Sequence, residues 1–341
     1  QKNTIIIMKY LILVFTFLFS LNSFADYKII MNKNKIKIPS QDLDSTEEEI
    51  IKNPKVYVAS GNLYQIDDEG NGNIFFSLGN EETRGTAVDN LENIYTGSRD
   101  SIVRKINSEG VEEWSYYEYG VNFRPVAVDY TGNVYAGSTS GSLYKFTNSG
   151  NKVWVYSDHD SRVSSIATDI SGNVYTTSLK LRKINSDGVL DWVYSGHSSF
   201  IFGVAVDKEG NVYTGSVDKT VRKISPEGEE IWSFNGHSQT IYSVAVDKNG
   251  NVYSGSEGGV IKKISSEGSE IWSFSAIGDV QGVAVDQSGN VYAATEEYNP
   301  NKGIVYKINE NGQEIWKFET SGDRFFGDIA VQPGLLGAGF Q

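Results

Sequence analysis

Six tryptophans recur at a nearly fixed spacing: Trp114, Trp154, Trp192, Trp232, Trp272 and Trp316. Six aspartates keep the same period: Asp89, Asp129, Asp169, Asp207, Asp247 and Asp286, at steps of 40, 40, 38, 40 and 39 residues. A period near 40 residues means one supersecondary unit copied along the chain. This constrains the architecture strongly and says nothing by itself about a ligand or a reaction.

Gly203 to Ser238 serves as the type unit. It holds four short runs rich in Val, Ile, Tyr, Trp and Thr, at Val204–Val206, Val212–Ser216, Thr220–Ile224 and Glu230–Phe234. Clusters of Asp, Gly, Asn and Ser bound them, as expected of strands and tight turns. No run keeps a 3.6-residue apolar period, so no helix is expected. The four strands are called A to D.

The A–B connection, Asp207-Lys208-Glu209-Gly210-Asn211, recurs as Asp129…Gly132-Asn133, Asp169…Gly172-Asn173, Asp247…Gly250-Asn251 and Asp286…Gly289-Asn290. An Asp side chain can accept from backbone N–H groups ahead of it, and Gly and Asn accept a positive φ, which is hairpin chemistry. A calcium loop uses the same residue types, but its acidic ladder and terminal Glu are missing here. The first copy has Glu92 in place of Gly. In the C–D connection, a Gly precedes each Trp by four residues, as at Gly110, Gly188, Gly228, Gly268 and Gly312. A Trp at a fixed point on every outer strand reads as a packing device whose N–H seeks a carbonyl, rather than six ligand-stacking platforms. Strand A alternates small and branched residues, as in Gly203-Val204-Ala205-Val206, which suits a crowded inner strand.

Four antiparallel strands per 40-residue unit describe a propeller blade. Six complete units start at Gly85, Pro125, Ser165, Gly203, Ser243 and Gly282. Val56–Ser60, Leu63–Ile66 and Ile74–Leu78 read as strands B, C and D without a strand A. Asp328–Gln332 reads as a strand A with nothing after it. Pairing the two fragments predicts an all-β, seven-bladed β-propeller over residues 55–332, closed without free sheet edges. The repeat GVAVDKEGNVYTGS…VRKI resembles the NHL and SBBP propeller repeats. The Gly-x-x-x-Trp of strand D resembles the PQQ-like, quinoprotein-type repeat, with a turn one residue shorter. Gly196-His197 and Gly236-His237 are similar to the Gly-His pair of WD40 repeats, although the Trp-Asp dipeptide is absent. These resemblances imply the propeller fold and leave function open, since propellers host unrelated activities.

Residues 1–7 precede the first methionine. From Met8 to Ala25, a lysine, an apolar run and Ser23-Phe24-Ala25 predict a secretory signal peptide cleaved before Asp26, too short for an anchoring span. The chain is therefore expected in the periplasm or outside the cell, with no stable membrane insertion. Residues 26–54 are expected to be an extension or linker, and 333–341 a tail. The sequence has no Cys, which excludes disulfides and thiol catalysis. Its net charge is −13, and loss of residues 1–25, which hold Lys2 and Lys9 and no acid, makes it −15. That balance disfavours nucleic acid, so the RNA binding of some NHL repeats is not transferred.

Binding residues are expected where the repeat is not uniform. The B–C and D–A connections vary, and topology puts both on one face of the ring. His159, His197 and His237 share one D–A position. They read as loop caps and, being on the variable face, also count among the candidate ligand-binding residues, with His197 or His237 open to a lyase; a three-histidine metal site is opposed by the spacing between blades. Five residues before each A–B aspartate stand Arg84, Arg124, Ser164, Phe202, Tyr242 and Gln281. Two arginines and two aromatics on adjacent blades would make a polarised rim, suited to anions on one side and to rings or sugars on the other. Local ion pairing and packing is the alternative. No nucleophile elbow, phosphate-binding Gly loop or paired carboxylates stand out. A quinoprotein dehydrogenase is disfavoured by blade count and by the missing vicinal cysteines. The expectation is an exported binding or scaffold module, monomeric, without metal or cofactor, for a protein, glycan or small ligand. The alternative is a propeller enzyme, a lyase or glycan-active protein, using the same face.

Overall fold

The computed structural model describes residues 54–78, 82–299, 301–320, 322–325 and 327–332. The chain divides into two units, residues 1–46 and 47–341. All described residues belong to the second. The expected signal peptide, the extension up to residue 53 and the tail from residue 333 lie outside the described residues.

Seven four-stranded antiparallel sheets make up the described chain. The propeller is thus seven-bladed and all-β. Six blades are built from consecutive strands, such as Ile201–Val206, Val212–Ser216, Val221–Ile224 and Glu230–Phe234 of blade 5. Blade 1 takes its inner strand, Ile329–Val331, from the far end of the chain and its other three from Val56–Ala59, Asn62–Ile66 and Gly72–Ser77. The register is Val56 to Val331, Tyr57 to Ala330 and Val58 to Ile329. Gln332 N–H also donates to Lys55 O at 2.9 Å.

Small residues on the inner strands follow from the convergence of backbones. A Cβ on Gly85 would lie 2.0 Å from Arg124 O of the next inner strand. The branched residues between them fill the space between blades, each blade face making its own apolar cluster with the next.

The A–B turn is held by its aspartate. Asp207 Oδ1 accepts Glu209 N–H (3.0 Å) and Asn211 N–H (2.8 Å), and Oδ2 accepts Asn211 Nδ2 (2.9 Å) and Tyr213 OH (2.9 Å). Tyr95, Tyr135, Tyr175, Tyr253 and Tyr292 repeat that phenol–carboxylate bond, each fully buried. Burial and the adjacent carboxylate raise these phenols above their ordinary range. The tyrosine six residues after each aspartate thus satisfies a buried polar group with the residue that makes the turn. In the first copy Glu92 sits at φ 60°, a left-handed conformation that costs a side chain energy. Its carboxylate pairs with Lys55 Nζ at 2.5 Å and accepts Gln332 Nε2 at 3.0 Å. The departure from glycine therefore ties together both ends of the ring.

Each outer-strand tryptophan reaches forward to the following blade. Trp192 Nε1 donates to Pro226 O at 2.9 Å and Trp232 Nε1 to Ser266 O at 3.0 Å. Trp316 Nε1 donates to Asp68 O at 2.8 Å, across the closure. The indole lies so close over the next C–D turn that a Cβ on Gly228 or Gly268 would meet it at 3.0 Å. Beside it a lysine packs over the buried tyrosine of its own blade, as Lys223 over Tyr213 at 5.4 Å. Between blades 1 and 2 Phe75 stands where the others have Trp, against Gly110. The recurring Gly and Trp thus meet across the blade boundary, a pairing that the four-residue spacing within one blade does not reveal.

Candidate functional site

The inner strands begin earlier than the sequence indicates, because most start with a β-bulge. In blade 5 the pairing jumps from Ile201–Ser216 to Gly203–Gly215, leaving Phe202 unpaired. The same irregularity singles out Arg84, Tyr242 and Gln281, and spans Arg124-Pro125 in blade 3. A bulge turns its extra residue off the sheet plane and re-aims its side chain. These side chains gather at the mouth of the channel on the D–A face. Ser164, the equivalent residue of blade 4, instead donates its N–H to Thr177 O at 2.8 Å.

The rim is divided by chemistry. Glu82 holds Arg84 and Arg99, each at 3.0 Å, and its carboxyl is kept below the usual range by these two arginines, against the opposing effect of burial. Arg124 follows on blade 3; burial, then the positive charges of Arg84, Arg162 and Arg99, lower its pKa to about 10. Arg162 lies over Phe200 and Phe202 at 5.4 and 5.3 Å. Phe202 contacts Tyr242 at 5.7 Å. Blade 7 adds an extended hairpin, Val291–Tyr298 and Asn301–Ile308, which carries Glu296 and the exposed Tyr298. Arg324 pairs with Glu296 at 3.0 Å and packs over Tyr298 at 5.5 Å. The circuit runs basic, aromatic, acidic. Arg84 thus neighbours Arg124, and Phe202 neighbours Tyr242, with Arg162 standing between the two pairs.

The three histidines lie elsewhere, in the walls between blades. Each Nε2 meets a hydroxyl seventeen residues on: His159 to Thr176 (2.8 Å), His197 to Thr214 (2.8 Å) and His237 to Ser254 (2.7 Å). His159 Nδ1–H donates to Gly141 O at 2.9 Å, and His197 Nδ1–H to Asp218 at 2.8 Å. Burial lowers the pKa of His159 and His237 to about 4, and lowers that of His197 against the pull of Asp218. These rings are neutral at physiological pH and link a D–A loop to the second strand of the following blade. Among the described residues, no group of three or more His, Asp or Glu side chains is placed to hold a metal ion.

Below the rim, an axial cavity of about 330 Å³ is lined by the inner strands of all seven blades. Its lining is mostly Ala and Val, with Ser165, Ser243 and three carboxyls: Asp247 and Asp286, which are bonded within their own A–B turns, and Asp328. Asp328 takes the place that Gly85, Gly203 and Gly282 hold in other blades. It is half-buried and lines the channel, and burial raises its pKa to about 6. Sequence reasoning treated it as one residue of a strand. Comparison with Gly85, Gly203 and Gly282 was the signal available.

Repeat, register and closure together define a seven-bladed propeller of PQQ-like and WD40-like repeats. The profile of the family described as outer membrane protein assembly factor BamB, a PQQ-like family, matches residues 217–333. That of the WD domain, G-beta repeat, matches residues 188–224. Among solved structures, the WD40 β-propeller domain of Doa1 is similar at a TM-score of 0.65 and 15% identity, covering 72% of this chain and 86% of that one. No curated protein matches the chain in sequence.

Proposed function

We propose that the protein is a non-catalytic scaffold that docks a partner protein on its D–A face, centred on the channel mouth. The observation that carries this is the set of bulged rim residues. The framework repeats from blade to blade, whereas the positions lifted off the sheet at the mouth do not. Aromatic and arginine side chains are the types that dominate protein interfaces. The exposed Tyr119 and Tyr298 extend the same surface outward. WD40-type propellers commonly serve protein interaction, and the PQQ-like family match carries the name of an assembly factor. The opposite face offers a competing surface, with Leu91, Tyr130 and Ile170 exposed on the A–B turns of adjacent blades.

Affinity capture with immobilised protein, followed by mass spectrometry, separates the two faces. Phe202→Ala and Tyr242→Ala should each weaken capture of the specific partner by about tenfold or more, with the melting temperature little changed. Tyr130→Ser should leave capture intact. Loss of capture in Tyr130→Ser with none in the rim variants would move the docking surface to the other side of the ring.

The proposed site of action is outside the cytoplasm, on the strength of the Met8–Ala25 pattern. N-terminal sequencing of exported protein should begin at Asp26. Exported protein that retains Met8 would count against cleavage.

A further inference from the structure

Two buried polar atoms at the channel mouth lack partners, and they occupy the same repeat position on neighbouring blades. Arg124 Nε is buried without a hydrogen bond, and so is Ser164 Oγ. Arg124 makes no ion pair among the described residues, whereas Arg84 and Arg99 already share Glu82. Arg162, two residues before Ser164, is held over Phe200 and Phe202 and likewise has no carboxylate within pairing distance among the described residues. Uncompensated positive charge is thus concentrated in one arc of a chain whose net charge is −13.

Native structures rarely leave buried donors unsatisfied, so the two mark an arc of the rim where an acceptor is missing. A guanidinium fork matches two oxygens of one planar or tetrahedral oxyanion, and a hydroxyl can donate to a third position. Packing over two aromatic rings holds Arg162 in place beforehand, which lowers the ordering cost of binding.

We propose that Arg124, Ser164 and Arg162 form an oxyanion-binding site at the channel mouth, which takes a carboxylate or phosphate-type group. The inference deepens the docking reading and rests on it only for its biological use: the anion would be an acidic group presented by the partner.

Calorimetric titration of the full chain with inorganic phosphate, and separately with acetate, tests the site without any partner. The ionic strength is held constant. At least one anion should bind saturably at one site per chain. Binding of phosphate alone assigns a tetrahedral group, and of acetate alone a carboxylate. Arg124→Gln should weaken binding roughly ten- to hundredfold. Arg124→Lys, which keeps the charge and loses the fork, should weaken it less, and Ser164→Ala by a smaller factor. Lys208→Gln makes the same charge change on an exposed A–B turn and should bind as the wild type does. Absence of saturable binding to either anion, or equal loss in Lys208→Gln, overturns the proposal. Failure of partner docking with the anion titration intact would instead overturn only the docking reading.

Discussion

Removing everything after Gly322 should unfold the ring or lower its melting temperature by more than 10 °C, on the order of 5 kcal/mol in stability. The deleted segment carries Phe325, Ile329 and Val331, all buried, and the entire inner strand of blade 1. Burying three such side chains contributes about 1.5–3 kcal/mol each, a large part of the 5–15 kcal/mol typical of a folded domain. Phe325 packs edge-on against Tyr64 at 5.9 Å, and Asp323 accepts the Tyr64 hydroxyl. The truncation also exposes Val56–Ala59 as an open apolar edge, which invites association. Circular dichroism melts and light scattering read both effects. A peptide spanning residues 323–332 should restore part of the lost stability in trans. An unchanged melting temperature would show that the ring holds together without its last strand.

The second large effect has the opposite sign. Asp328→Asn should stabilise the protein at neutral pH. The carboxyl sits in a channel lined mostly by Ala and Val, and burial alone raises its pKa to about 6. In the unfolded chain an aspartate titrates near pH 3.9. The folded state thus holds the proton more tightly. Its stabilising contribution is complete below about pH 4, declines between about pH 4 and 6, and is gone above that range. The full shift corresponds to roughly 3 kcal/mol, and water in the channel reduces this to about 1–3 kcal/mol. Other carboxyls move the other way, as Asp218, whose hydrogen bonds with Thr220 and His197 outweigh burial and hold it at about 2. The comparison therefore has to be between variant and wild type at each pH. Denaturant unfolding should show matched stabilities at pH 4 and a more stable variant at pH 7.5. Equal stabilities at both pH values would mean that Asp328 is solvated as it is in the unfolded chain.

Much of this architecture was legible because the turns are made by local chemistry. Asp207, Gly210 and Asn211 fold their own connection, so their spacing reports both the hairpin and the blade count. The closure was legible too, since the Val56 and Asp328 fragments are complementary parts of one unit. What spacing could not show was direction. Trp192 meets Gly228 of the next blade rather than the glycine four residues before it, and only three dimensions distinguish the two. The bulges were equally hidden: Phe202 and Tyr242 look like loop residues because the alternation of strand A begins after them. The rim was visible as a break in the repeat. The orphaned atoms of Arg124 and Ser164 were not, since partnership is a property of the folded surroundings. The histidines were visible as loop groups at one repeat position, but the hydroxyls they meet lie in another strand of the next blade.

The forward-reaching tryptophan has a consequence for how this chain can be cut. Trp316 treats Gly70 as Trp192 treats Gly228, so the junction between the last blade and the first uses the same contacts as the others. Gln332 and Lys55 are already hydrogen-bonded to each other, at positions 277 residues apart in sequence. Joining those two points and opening the backbone in another D–A loop preserves every blade-to-blade contact. The seam in blade 1 is one junction among seven, and the closed circle of contacts does not depend on which of them the chain leaves open.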